Sequence, residues 1–463
     1  MDADSAPASG GRAVACPGAL VGRGAGPVRG PAAGRRAALR GGRRLKRLVG
    51  FQYRADGLYC EGVRLADLAA RYGTPLYVYS AGVIRDRYRR LSAAFAALRP
   101  RLYYAVKANA NLSLLKLLKD EGAGFDVVSG GELARALAAG ADPARVVFAG
   151  VGKTEAELTE ALAARIGWFN AESADELARL NALASAAGRR PRVALRLNPD
   201  VEPDTHPHVR TGGGRSKFGF PLDEALSLLR SWDRFPALDL GGVHLHIGSQ
   251  LADPAATLRA LDVALDVIAR DPRLTVLDLG GGFPVPYRES DAYPSIEAFA
   301  APIVAKLGAW LGRLTFHLEP GRYLMAEAGA LVTTVQAVKI MAGRRVVVVD
   351  TGLHHLLRPA LYNAYHRVLP LARAAPAGVP ADVVGPICES SDVLARERRL
   401  PELRPGEGLA LMEAGAYGFS MASQYNAQVR PAEVLVTGEG ARLIRRRETY
   451  AELMAPEREC LDA

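Results

Sequence analysis

One lysine in this chain stands where it could act as a nucleophile. The run Tyr104-Ala105-Val106-Lys107-Ala108-Asn109 closes an apolar stretch, Leu102 to Val106, that reads as a buried strand, with Lys107 at its C-terminal lip. In an alternating α/β barrel that lip is where chemistry is done. Apolar surroundings strip hydration from an ammonium, so the pattern predicts a lowered pKa and a neutral amine able to form a Schiff base with an aldehyde. A lone lysine at a strand end is otherwise a side chain snorkelling to solvent. Lys107 is not alone, because other reactive groups recur at matching positions further along the chain.

Three such groups fall at C-terminal strand ends. His244-Leu245-His246-Ile247-Gly248-Ser249 offers two imidazoles on one strand face, one of which could stack on a flat ring. Either histidine alone reads equally as a buried, hydrogen-bonded core residue. Gly280-Gly281-Gly282 allows backbone N–H groups to converge on an anion such as phosphate, or is a plain turn. Glu319-Pro320-Gly321-Arg322 supplies a carboxylate suited to a protonated ring nitrogen, and a guanidinium fork suited to a carboxylate or phosphate. An ion pair between Glu319 and Arg322 is the plainer reading.

Eight apolar segments carry these groups: 102–107, 124–129, 146–150, 167–170, 193–198, 242–248, 276–280 and 315–319. Ala/Leu-rich amphipathic stretches such as 132–139, 156–164 and 173–186 separate them. Eight strands alternating with helices predict a (β/α)8 barrel of the TIM type, with a doubly wound sheet as the alternative. After Arg322 the helical repeats stop. Segments 331–341, 345–350 and 433–436 read as strands between Gly/Pro turns, an all-β domain. Residues 51–79 hold a hairpin-like stretch and a short helix, 65–72, expected to join that β-domain and make it discontinuous. The expected organisation is an extension (1–48), an N-terminal piece of the β-domain (49–78), the barrel (79–322) and a C-terminal β-domain (323–463).

Charge and cysteines limit the function classes. The 463 residues carry a formal charge of +10, which resembles a nucleic-acid signal, but residues 1–47 hold +8 of it and the other 416 only +2. The body is near neutral, so neither nucleic acid nor membrane is an expected partner. No apolar run reaches the ~18 residues of a membrane span. Cys16, Cys60, Cys388 and Cys460 are widely spaced, which fits a reducing cytosol better than a disulfide framework, and no zinc site or other metal is expected. The Ala/Gly/Arg/Pro-rich residues 1–48 have no apolar periodicity and are expected to be disordered. A misassigned start codon is favoured there over a transit peptide or a basic arm for polyanions.

Lysine, imidazole, glycines and carboxylate in this order, from about Phe51 to Leu453, resemble the barrel-type (fold type III) pyridoxal-phosphate decarboxylases. Within them the chain is similar to the branch that converts meso-2,6-diaminopimelate to L-lysine and CO2, the last step of lysine biosynthesis. The resemblance implies pyridoxal 5'-phosphate as cofactor, with Lys107 as its Schiff base, His246 stacked on the ring and Glu319 at the pyridine nitrogen. Ser249, Gly280, Gly281, Gly282, Gly321 and Tyr417 would surround the phosphate, with Arg322 also in the cofactor set. Arg322, Arg358, Tyr362, Glu389 and Tyr417 would contact substrate. Cys388, in Gly385-Pro386-Ile387-Cys388-Glu389-Ser390, would be a proton donor reaching the partner subunit's cofactor, which implies a homodimer with shared active sites.

Two segments depart from the family pattern. His354-His355 stand where Asn-Asp is common, and are expected to be a solvated pair rather than an altered pocket rim. The loop 211–219 is unusually rich in glycine. The alternatives are a decarboxylase of another amino acid (ornithine-, lysine- or arginine-like, or a secondary-metabolite precursor) and a non-catalytic regulatory homologue. The second is disfavoured by the presence of both Lys107 and Cys388, and a racemase on the same barrel is disfavoured by Glu319.

Overall fold

The computed structural model describes residues 48–201, 216–373 and 378–461. The proposed extension, apart from Leu48, and most of the glycine-rich loop therefore lie outside the described residues.

All eight apolar segments form strands, each displaced by at most a few residues from its sequence reading. They are β1 (Arg101–Ala105), β2 (Gly124–Val127), β3 (Val146–Phe148), β4 (Trp168–Ala171), β5 (Arg192–Leu197), β6 (Asp239–Leu245), β7 (Val276–Asp278) and β8 (Thr315–Leu318). Each pairs in parallel with the next, and β8 returns to β1 through His317 opposite Arg101 and Leu318 opposite Leu102. That pairing closes the barrel and disposes of the open-sheet alternative. The helices start where polar residues follow the strands. Asn111, Ser129, Ser173 and Ser295 each accept a backbone N–H at a helix start, and Thr154 forms a capping box with Glu157. Tyr103, Val147, Trp168, Ala194 and Val276, drawn from five strands, form their own buried cluster, with the His317 ring against Tyr103 and Trp168. This plug fills the N-terminal half of the interior, so the strands' C-terminal ends are where a ligand can enter.

The second region is a sheet built around Leu76–Ser80. That strand runs antiparallel to Gly329–Val332 and parallel to Ala432–Val436, so a segment from before the barrel lies between two from after it. The β-domain is discontinuous for this reason. Helix Leu65–Tyr72 occupies the residues expected of it. The C-terminal region also contains two helices, Arg358–Tyr362 and Tyr450–Leu461. The first starts with Pro359 in its opening turn, a position where the missing N–H costs nothing. No helix among the described residues is long and apolar enough to cross a membrane.

Candidate active site

Lys107 follows β1 in a single tight turn, Val106–Ala108, and its amine points into the barrel mouth. Nζ donates to Oδ2 of Asp126 at 2.5 Å, and Asp126 is fully buried on β2. The expected fall in the lysine pKa does not occur. Burial alone would lower it, but Asp126, Tyr417 and Glu319 together outweigh burial and raise it above the ordinary lysine value. The apolar neighbours were visible in the sequence, but the acid on the adjoining strand β2 was not.

Glu319 follows β8 directly. Its Oε1 accepts from Asn170 Nδ2 and its Oε2 from His244 Nε2, both at 3.2 Å. Burial opposes its ionisation, yet His244, Lys107 and His246 hold it far below the usual carboxylate range. Asp278, at the end of β7, moves the other way: burial and the charge of Glu319 push it well up. Asp126 is also raised, to about 7, by burial and then by Glu319. Several acids share one dry space, and the one facing the imidazoles keeps the negative charge. His244, Asp278 and Glu319 present ligand atoms within 4.8 Å of one another.

His246 accepts the Gly281 N–H at Nδ1 (3.2 Å), and burial drops its pKa to about 3, so the ring is neutral. Gly280 has φ +65, and a Cβ there would sit 2.3 Å from the Leu245 carbonyl. A Cβ on Gly281 would be 2.4 Å from Glu319 O, and one on Gly282 2.7 Å from Gly248 O. Close backbone approach requires all three glycines. Two of their amides are already engaged, Gly280 by Asp278 Oδ1 and Gly281 by His246, so the segment provides room more than free donors.

Beside this cradle, Arg322 donates from Nε and Nη2 to Ser249 Oγ at 3.1 and 3.0 Å, and from Nη1 to Tyr287 OH at 3.1 Å. The alternative of a Glu319–Arg322 ion pair is not realised among the described residues; the two side chains face different partners. The Arg322 guanidinium lies 4.9 Å from the Tyr417 ring centre. Tyr417, at φ +56, is tied to the barrel by its N–H to Ala108 O (2.8 Å), and its hydroxyl would be 3.4 Å from a Cβ on Gly321. Arg358 is buried over the Tyr287 ring at 4.6 Å. Tyr362 ends the same short helix and is close enough to influence both arginines.

Cys388 and Glu389 are elsewhere. Both are exposed, on a loop where Cys388 N donates to Asn426 Oδ1 (3.2 Å) and Glu389 accepts from Tyr425 OH (2.5 Å). Among the described residues of this chain, neither bonds to Lys107, Glu319, Arg322 or Arg358. The histidine pair corrects an expectation. His354 and His355 are 1% and 2% exposed, with ring centres 3.6 Å apart, so they are core residues and not a solvated pair. His355 is held by Thr351 Oγ1 and Val429 O, while both ring nitrogens of His354 are buried without a hydrogen-bond partner.

Asp126, Asn170, Tyr287 and His366 were not singled out from sequence. A charged residue inside an apolar barrel strand, as at Asp126 and Asp278, was the available signal. The residues at the lip fit pyridoxal phosphate: an amine for its aldehyde, an ionised acid for its ring nitrogen, and a glycine cradle beside Ser249 and Arg322 for its phosphate.

A closed parallel barrel with such a lip, joined to a β-domain, is the frame of the fold type III pyridoxal enzymes. Residues 81–326 match the family model described as the pyridoxal-binding domain of the pyridoxal-dependent decarboxylases. Diaminopimelate decarboxylase of Aquifex aeolicus is 43% identical over 88% of this chain and 97% of its own length. The crystal structure of the Helicobacter pylori diaminopimelate decarboxylase complexed with L-lysine superposes with a TM-score of 0.81 at 38% identity, covering 86% of this chain and all of that one. The M. jannaschii diaminopimelate decarboxylase, also with L-lysine, gives 0.84 at 35% identity, covering 89% and 98%. The chain belongs to the pyridoxal-dependent decarboxylases, in the diaminopimelate decarboxylase family.

Proposed function

We propose that this chain decarboxylates meso-2,6-diaminopimelate to L-lysine, as a cytoplasmic homodimer with shared active sites. The observation that carries the substrate is the pair Arg322 and Arg358. Both meet at Tyr287, and neither has a carboxylate partner among the described residues. A buried cation without a counter-charge is costly, and a substrate carboxylate distal to the reacting carbon would supply that charge. Lysine and ornithine lack it.

Bound pyridoxal phosphate supplies an electron sink for the charge left when CO2 departs. Lys107 would hold the cofactor's aldehyde through Nζ, with Asp126 Oδ2 placed to take the surplus proton of its amine. Glu319, kept ionised by His244 and aimed by Asn170, would hold a proton at the pyridine nitrogen. Neutral His246 would lie beside the ring without adding charge. Ser249 and Arg322 would flank the phosphate with Gly280–Gly282, Gly321 and Tyr417. Arg322, Arg358, Tyr362 and Tyr417 would orient the substrate. Cys388 and Glu389, exposed on this chain, complete the partner's site, where Cys388 Sγ delivers a proton to the α-carbon.

The test is CO2 release from a panel of amino acids, with borohydride reduction and peptide mapping to locate the cofactor. The expected result is a preference of at least roughly a hundredfold in kcat/KM for diaminopimelate over lysine or ornithine, with the label on Lys107. Equal turnover of a diamine monocarboxylate would shift the function to another decarboxylase. A label on a different lysine would remove the proposed anchor.

A further inference from the structure

We propose that His366 is a positioning residue that sets substrate specificity by aiming Arg358 without neutralising it. This rests on the reading of Arg358 as part of the substrate site. The ring is fully buried, and its two nitrogens have different partners. Nδ1 donates to the Met412 carbonyl at 2.8 Å, which leaves Nε2 as an acceptor, and Arg358 Nη1 donates to it at 3.0 Å. The carbonyl therefore chooses the tautomer, and the tautomer orients the guanidinium.

Tyr287 supports both from the side. Its ring face lies under Arg358 at 4.6 Å and meets His366 edge-on at 5.7 Å, while its hydroxyl accepts from Arg322. Arg358 is thus fixed by an aromatic face and a neutral imidazole. A carboxylate in place of the imidazole would orient the guanidinium equally well, but would also cancel the charge that a substrate carboxylate needs. Elsewhere in this chain buried arginines do take acids, as Arg87 takes Glu327 at 2.6 Å. The neutral partner here keeps the cation available for an anionic group of the ligand.

Three substitutions separate orientation from charge. His366→Gln can accept from Arg358 and donate to Met412, His366→Leu removes the acceptor, and His366→Glu adds the neutralising carboxylate. The readouts on the holoenzyme are KM and kcat for diaminopimelate and the calorimetric Kd of pimelate, a dicarboxylate without amines. His366→Glu and His366→Leu should raise KM and the pimelate Kd by roughly thirtyfold or more, with the loss falling mainly on KM, as expected when a charge-assisted contact is lost. His366→Gln should stay within about threefold of wild type by the same reasoning. If the Leu variant fails to fold, the contrast between Gln and Glu decides. Equal KM and pimelate Kd in those two, with wild type turning over diaminopimelate, would overturn the role of His366 alone. A wild type that neither binds pimelate nor releases CO2 from diaminopimelate would overturn the substrate reading beneath it.

Discussion

The amine of Lys107 lies 2.5 Å from a carboxylate, Asp126, that has no exposure to solvent. The acid keeps the lysine cationic in a place where burial alone would favour the neutral amine. Nucleophilicity at Lys107 is therefore gated by a proton that Asp126 can hold, and Asp126 is itself raised to about 7 by burial and by Glu319. At neutrality the proton stays on the lysine, so capture of an aldehyde requires it to leave, and Asp126 is the base within reach.

Asp126→Asn should lower the pH at which Lys107 captures pyridoxal phosphate, by at least about one unit, because burial then dominates. Turnover should nonetheless fall by roughly a hundredfold as the amine loses its aim. Absorbance of the captured cofactor against pH, followed by borohydride trapping, measures the first effect. An unchanged midpoint would mean that Asp126 does not control the amine.

Gly280→Ala should loosen the cofactor. The new Cβ would sit 2.3 Å from Leu245 O and 2.8 Å from His246 Nδ1, at a φ of +65 that L-residues resist. Strain and crowding together are expected to cost about 2–3 kcal/mol. Gly312→Ala isolates the backbone part, since that glycine has φ +84 with nothing within 4 Å of the added carbon. Cofactor retention on dialysis should drop sharply for Gly280→Ala and hold for Gly312→Ala. Equal retention would show that the cradle does not depend on close approach.

Cys388→Ala should leave the cofactor bound, because the thiol is exposed and, among the described residues of its own chain, its loop bonds to Asn426 rather than to Lys107 or Glu319. Mixed with Lys107→Ala subunits, it should regain part of the lost activity, since one site per heterodimer would be intact. Absence of rescue after confirmed subunit exchange would argue that each chain builds its own site.

Acid should expose the buried histidines. Burial lowers His354 to about 4 and His246, His317, His355 and His366 to about 3, whereas each protonates near ~6.5 when unfolded. With folded values depressed, their stabilising contribution is present above ~6.5 and is lost as the pH falls toward the folded values. Asp126 and Asp278, raised on folding, run the opposite way over part of that range, so the informative quantity is a difference. His354→Asn should flatten the fall of Tm between about pH 7 and 5 relative to wild type. An identical slope in scanning calorimetry would mean that His354 already protonates in the folded protein.

The eight strands were legible in the sequence because each is a short apolar run between helical repeats, and local pattern is enough to define them. Lys107, His246, Gly280–Gly282 and Glu319 were legible for the same reason, as each ends one of those runs. Even the discontinuous β-domain could be expected once the repeats stopped at Arg322. What surrounds each group was not legible. Asp126 meets Lys107 only because adjacent strands set them in register, and Arg358 meets Tyr287 only because the β-domain is folded onto the barrel mouth. The burial of His354 and His355 likewise depends on distant Ser423 and Val429, besides nearby Thr351, rather than on their own polar character. Residue type and spacing determined which groups could react. Ionisation and aim depend on charges and dielectric supplied by residues far away in the chain, and only the tertiary structure brings those together.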